Sequence, residues 1–178
     1  MHLTIDSNTE LRPLEISDAH EVFNLIDAQR KYLGKWLTFV ATTKKASDTE
    51  AFVKSVVRKP KECKEHTFTI RYQNKLIGLI GLDPTDIRNG TTEIGYWLSE
   101  VYQKQGIVTK SVQRLCEFAF HDLELNKVII KCAVHNEPSK NIPKRLGFSF
   151  DGVQRQTEVG TDNNFNVLEV YSKLKSKE

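Results

Sequence analysis

The 178-residue chain has little cysteine, and what it has is poorly spaced for cross-linking. Cys63, Cys116 and Cys132 are an odd, scattered set without C-x-x-C spacing. A reduced, cytoplasmic protein therefore fits better than a disulfide scaffold or a zinc site. The histidines His2, His20, His66, His121 and His135 form no spaced ligand set with those cysteines, so no metal is expected. No apolar run approaches the roughly 18 residues of a membrane span, and no membrane partner is expected. Residues Met1–Asp6 have neither a basic n-region nor an apolar h-region, so no secretion signal is read there. A net charge of +3 is too small to argue for nucleic acid. Two familiar nucleotide loops are also missing, G-x-x-x-x-G-K-[ST] and G-x-G-x-x-G. No repeat, low-complexity run or linker divides the chain, so residues 1–178 are read as one domain. A hydrophobic share of 39% and a charged share of 28% place it among globular proteins.

What is present centres on Thr92–Ser111, T-E-I-G-Y-W-L-S-E-V-Y-Q-K-Q-G-I-V-T-K-S. Glu93 to Leu98 suits a pleated, half-buried strand. A polar turn with Gly106 follows. Beyond it Val112, Leu115, Cys116, Ala119, Phe120 and Leu123 fall on one helical face. A turn that opens a helix leaves backbone N–H groups unpaired at the positive end of the dipole, which suits an anion such as a pyrophosphate. Gly106 lets the backbone approach without a Cβ in the way, and Lys104 and Lys110 add charge. Alone, Q-x-x-G-x-V is equally compatible with an ordinary strand-to-helix connection.

Upstream, Leu11–Leu14 reads as the end of a first strand. Ser17 is a candidate N-cap for a helix with Val22, Phe23, Ile26 and Leu33 on one stripe. Lys31–Phe39 is aromatic-rich; it suits a helix-end packing patch or one wall of a substrate groove. Ser47–Glu50 has capping-box spacing before a second helix that buries Phe52, Val53, Val56 and Val57. The basic run Lys54–Lys64 reads as a solvated helix end and loop. Thr67–Tyr72, Leu76–Leu82 and Thr92–Leu98 form an antiparallel meander, with turns at Gln73–Lys75 and, after the polar loop Asp83–Asn89, at Asn89–Gly90. Lys127–Val134 is a buried strand, parallel to Thr92–Leu98 through the crossover helix. Ser139 can cap a short helix that Gly147 ends, with Pro143 in its first turn. Phe148–Thr157 and Asn166–Leu174 are the final strands.

In this order, E-I-G-Y-W-L, Q-x-x-G-x-V, a helix, a buried strand, N-x-x-S and R-L-G-F, the chain resembles the GNAT superfamily of acetyl-CoA-dependent N-acetyltransferases. Y-Q-x-x-G-I, I-K-C-x-V-x-N-x-x-S and Q-x-E point within it to the RimJ/RimL type, the ribosomal-protein N-terminal acetyltransferases. The resemblance runs from Leu11 to the final strand. Val108 departs from it, standing where the family usually has Gly or Ala. The implied fold is α+β: a mixed, mostly antiparallel central sheet with a parallel βαβ unit at the acetyl-CoA site, flanked by helices.

The resemblance implies roles residue by residue. The backbone of Tyr96, Trp97 and Leu98 pairs with the pantetheine amides, and a backbone N–H near Leu98 polarises the thioester carbonyl. The turn Gln103, Lys104, Gln105, Gly106, Ile107, Val108, Thr109 and Lys110 holds the pyrophosphate. Asn136 bonds the pantetheine arm, and Ser139 lies near the thioester sulfur. Acetyl-CoA is the cofactor and CoA a product. A homodimer is implied by the resemblance only. An α-amine, with a pKa of roughly 7.7–8, needs only a modest base, and a lysine amine near 10.4 needs more. Ser139 serves the leaving thiolate as donor. Glu158, in Q-x-E, and Glu93, on the central strand, compete for the role of base. Tyr171 is a further candidate acid, and Cys116 and Cys132 read as buried and inert. The acceptor is a protein N-terminus or a small amine such as a polyamine or amino-sugar antibiotic. A non-catalytic CoA-binding module is the third alternative.

Overall fold

The computed structural model describes residues 2–59, 66–161 and 164–176; the side chains of Thr157 and Glu158 also fall outside the described part. The basic residues Lys61 and Lys64, and Cys63, lie outside the described residues. Eight strands form one sheet: β1 (Leu3–Thr4), β2 (Thr9–Pro13), β3 (His66–Tyr72), β4 (Lys75–Asp86), β5 (Thr91–Leu98), β6 (Lys127–Ala133), β7 (Ser149–Val159) and β8 (Phe165–Leu174). Their order is β1-β2-β3-β4-β5-β6-β8-β7. Neighbours are antiparallel except β5 and β6, which are parallel and joined by a helical crossover. The helices are α1 (Ala19–Asp27), α2 (Arg30–Leu33), α3 (Phe39–Thr42), α4 (Ala46–Val57), α5 (Ile107–Glu117) and α6 (Glu137–Arg145). This is the mixed, mostly antiparallel α+β sheet with one parallel βαβ unit that the motifs imply.

Helices cover both faces of the sheet. On one face α5 sends Val112, Leu115 and Cys116 against Ile77, Ile80, Ile94, Val128 and Ile130. On the other, Val22 and Ile26 of α1 and Val53 and Val56 of α4 meet Leu76 and Leu79. Strand β4 is therefore buried on both sides, which explains its nearly continuous apolar run. Arg71 ties the second layer down: its guanidinium donates to Asp18 at 2.7 Å, Glu21 at 3.1 Å and the Asn74 carbonyl at 2.8 Å.

Several local expectations shift. Asp18, not Ser17, closes the first turn by accepting from the Glu15 N–H at 2.9 Å. Asp48 replaces the Ser47–Glu50 box, accepting from the N–H groups of Lys44 and Lys45. The buried stripe of α4 becomes Thr49, Val53 and Val56, leaving Phe52 and Val57 exposed. Asn136, not Ser139, caps α6, because its side chain accepts from the Ser139 N–H at 3.3 Å. That starts the helix three residues earlier and leaves Pro143 in its interior. Strand β4 runs on to Asp86, through residues expected in a loop.

That extension positions the site. Leu82 pairs with Ile94 and Thr85 with Thr92, so Asp83 and Pro84 stand opposite Glu93 alone. Such a bulge bends and twists its strand. At the same level β5 and β6 part: Thr91, Thr92 and Glu93 register with Lys127, Val128 and Ile129, and no later residue of β5 does. Strand β6 continues to Ala133 against β8.

Past the parting, β5 is held in the sheet from the β4 side. A Cβ on Gly78 would sit 2.2 Å from the Trp97 carbonyl oxygen. Gly78→Ala is expected to lower stability by about 1–3 kcal/mol through overpacking. Each kcal/mol lowers Tm by roughly 2–4 °C in a domain of this size. Calorimetry checks this, and an unchanged Tm would show that the close approach is not needed.

Candidate active site

The parted strands open a cleft of about 610 Å³. Glu93, Ile94, Gly95 and Tyr96 of β5 line one side and Lys131, Cys132 and Ala133 of β6 the other. His135, Asn136 and Ser139 lie past the end of β6, and Lys35–Phe39 with Gln154, Thr161 and Leu168 form the outer wall. The aromatic stretch thus reaches the cleft as well as packing. The Thr161 hydroxyl donates to the Lys35 carbonyl at 3.1 Å, joining the β7–β8 turn to that wall.

Ser139 lies on the first turn of α6, facing β5. Its Oγ is 3.1 Å from the Tyr96 hydroxyl and 3.2 Å from Cys132 Sγ. Burial pushes the Tyr96 hydroxyl and the Cys132 thiol above their ordinary pKa values, so both stay protonated at neutral pH. Glu93 is not free: its carboxylate meets Lys131 Nζ at 2.8 Å across the parting strands. Tyr171 is buried, donates to Glu169 and packs on Phe150 at 5.6 Å between ring centres. Burial and then Glu169 push its pKa up to about 12, consistent with a packed strand residue rather than an acid in the cleft. Cys116 is buried on α5, its thiol pushed up to about 12 by burial.

The turn before α5 has the shape its sequence asks for. Gly106 caps the helix at φ +75°, and Lys104 is also left-handed at φ +60°. A Cβ on Gly106 would meet nothing within 4 Å, so the space in front of the helix is open. The first N–H groups of α5 have no carbonyl one turn back to bond. Val108 packs against the main core, so the larger side chain at that position faces inward. Lys110 Nζ bonds Asp6 at 2.9 Å, and that contact, with the Asn8 N–H, holds the Asp6 carboxyl down to about 2. The Gln103 side chain donates to the Tyr32 hydroxyl, and Gln105 reaches the Val101 carbonyl at 3.4 Å. In this turn the backbone groups, Lys104 and Thr109 are therefore left uncommitted for an anion. The open cradle, the unpaired β5 edge and Asn136 and Ser139 at the cleft fit the long arm and phosphates of a coenzyme A thioester. Among the described residues, no three His, Cys, Asp or Glu side chains lie together as a metal site.

Residues 8–149 match the acetyltransferase (GNAT) domain family. The chain belongs to the GNAT acetyltransferases. It is 35% identical over 153 residues to YdaF of Bacillus subtilis (strain 168), provisionally named a ribosomal N-acetyltransferase, covering 85% of this chain and 83% of that one. It is 27% identical to the ribosomal-protein-serine acetyltransferase of Escherichia coli (strain K12), over 97% of this chain and 96% of the relative. Among solved structures it resembles the microcin C7 self-immunity acetyltransferase MccE in complex with acetyl-CoA and AMP, with a TM-score of 0.90, 26% identity and coverage of 97% and 98%. This GNAT chain is an acetyl-CoA-dependent N-acetyltransferase.

Of the expected site residues, the fold brings Glu93, Tyr96, Asn136 and Ser139 into one cleft. Sequence reasoning missed Lys131 as the partner of Glu93, although the parallel register gives the clue two positions past Ile129. It also missed Gln29, which clamps the end of β5 by donating to Ser99 Oγ and accepting from the Glu100 N–H, both at 2.8 Å. Nothing local in the sequence marks that contact.

Gly106→Val is expected to weaken acetyl-CoA binding by about tenfold or more, roughly 1.4 kcal/mol, by straining the left-handed cap and filling the cradle. The core below should persist, because the new side chain enters open space. Titration calorimetry measures the affinity; an unchanged Kd would remove the phosphates from this turn.

Proposed function

We propose that this acetyltransferase acts as one domain over residues 1–178 and acetylates the α-amine at a protein N-terminus, a ribosomal protein being the foremost class. The observation that carries this reading is the outer wall of the cleft. It is built mainly from Lys35–Phe39 and Thr161 and carries no described carboxylate; the one described carboxylate of the cleft lining, Glu93 on β5, is already paired with Lys131. A polyamine or amino-sugar calls for free carboxylates, whereas an extended peptide calls for a groove. The names of the relatives agree with a ribosomal acceptor. A second reading, a small amine-bearing molecule, draws on the likeness to MccE. The free, buried Cys116 and Cys132 support a reducing, cytoplasmic setting.

In this reading acetyl-CoA supplies an acetyl thioester and a thiolate leaving group. The unpaired backbone of Tyr96, Trp97 and Leu98 binds the pantetheine arm, and the Gly106 turn binds the pyrophosphate. Asn136 steadies the arm beside its capping bond. Ser139 donates to the departing sulfur. Glu158, one residue before the end of β7, takes the proton of the incoming ammonium through water, and Glu93 is the rival. Support for Glu158 is its Q-x-E position and the engagement of Glu93 by Lys131.

Glu158→Gln is expected to cut turnover by about 10²–10⁴-fold, as removal of a general base does. Acetyl-CoA affinity should hold, and the loss should shrink at high pH, where the amine is already neutral. Steady-state kinetics with an N-terminal peptide decide it, with Glu93→Gln alongside. Near-normal turnover in the first variant and a hundredfold loss in the second would pass the role to Glu93.

We also propose that the chain forms a homodimer. Phe150, Val153 and Phe165 are more than half exposed on the outer strand pair β7 and β8, at the rim of the sheet. Light scattering should return twice the 20.4 kDa chain mass. A monomer mass at working concentration would overturn it.

A further inference from the structure

Pro143 is the seventh residue of α6 and lies inside the helix. In an α-helix the N–H of each residue donates to the carbonyl four positions earlier. For position 143 that carbonyl belongs to Ser139, and proline has no N–H to give. The Ser139 carbonyl is taken up from outside the helix instead. The Tyr96 hydroxyl, reaching from β5 to α6, lies 3.2 Å from it. The same hydroxyl is 3.1 Å from Ser139 Oγ, and Cys132 Sγ is 3.2 Å from that oxygen on the β6 side.

The hydrogens can be assigned in sequence. A carbonyl only accepts, so the single Tyr96 proton goes to Ser139 O. The contact between hydroxyls is then filled by the Ser139 proton, donated to the Tyr96 oxygen. The Cys132 thiol donates in turn to Ser139 Oγ. Ser139 is gripped at two atoms by one side chain from the opposite strand.

We propose that Tyr96 is a positioning residue for acetyl transfer: it replaces the helix donor that Pro143 lacks and so holds the Ser139 hydroxyl at the floor of the cleft. This rests on the reading of Ser139 as donor to the thiolate. Tyr96 acts through Ser139. When the Ser139 proton swings from Tyr96 toward the cleft, the Tyr96 bond to the Ser139 carbonyl and the Cys132 donation to Oγ keep the residue in place.

The test compares kcat and KM for acetyl-CoA in the native protein, Ser139→Ala, Tyr96→Phe, Tyr96→Phe with Ser139→Ala, and Tyr96→Phe with Pro143→Ala. Ser139→Ala should lower kcat. Tyr96→Phe should lower kcat by about tenfold, the scale of one hydrogen bond, with KM within about twofold. In the Ser139→Ala background the same change should add almost nothing, because the two residues act as a unit. Pro143→Ala returns an N–H to the Ser139 carbonyl and should recover most of the kcat that Tyr96→Phe lost. Normal turnover in Ser139→Ala would overturn the donor reading and this inference with it. A slow Ser139→Ala with an undiminished Tyr96→Phe loss in that background, or no recovery with Pro143→Ala, would overturn this inference alone. Should Tyr96→Phe not fold, Pro143→Ala must restore a cooperative melt; a double variant still unfolded overturns the assignment.

Discussion

The site depends on a pairing that stops after three residues. Strands β5 and β6 begin as ordinary parallel neighbours and separate beyond Glu93 and Ile129. Backbone N–H and C=O groups must be satisfied somewhere. Beyond the parting, β6 is paired with β8 and β5 with β4, each on one side only. The wedge between them leaves one side of each strand unpaired, and a pantetheine arm has amides suited to those groups. The bulge at Asp83 and Pro84 lies opposite the residue where pairing ends. Twist is thereby added at the point where β5 must leave its neighbour.

The charges near the cleft are arranged by the same geometry. Glu93 and Lys131 face each other where the strands part, each satisfying a group that would otherwise stand alone at a half-buried edge. Lys110, which a linear reading assigns to phosphate, is shared with Asp6 from the β1–β2 turn. In the proposed reading the phosphate cradle is thus mainly backbone, whose dipoles are fixed by the helix and need no reorganisation. The Asp6 carboxyl is depressed to about 2 in the folded chain, so its contribution is complete above the ordinary carboxylate range. That contribution fades only as pH falls toward 2.

The sheet and the parallel unit were legible because period-2 and period-3.6 patterns alternate cleanly from Thr67 to Leu123. Gly106 was legible because turn chemistry depends on a few adjacent residues. What was not legible depended on tertiary register. Ser17 and Ser47 carry good capping side chains, but Asp18 and Asp48 were placed nearer the free N–H groups. Ser139 read as a cap because its hydroxyl is suited to one, and Asn136, three residues earlier, has the longer reach. The pairing of Glu93 with Lys131 follows from which residues of two distant segments stand level, which no local pattern states.

The parted strands also bear on how this protein avoids sticking to itself. A row of unpaired strand groups on the rim of a sheet invites any passing chain to add to it. Here the two open edges face each other in the middle of the sheet. The wall from Lys35 to Phe39, fastened by Thr161, stands along the opening. A folded neighbour cannot bring a full strand with its side chains into so narrow a wedge. A thin, unbranched ligand arm can enter, so the shape that exposes the hydrogen-bonding groups also selects what may use them.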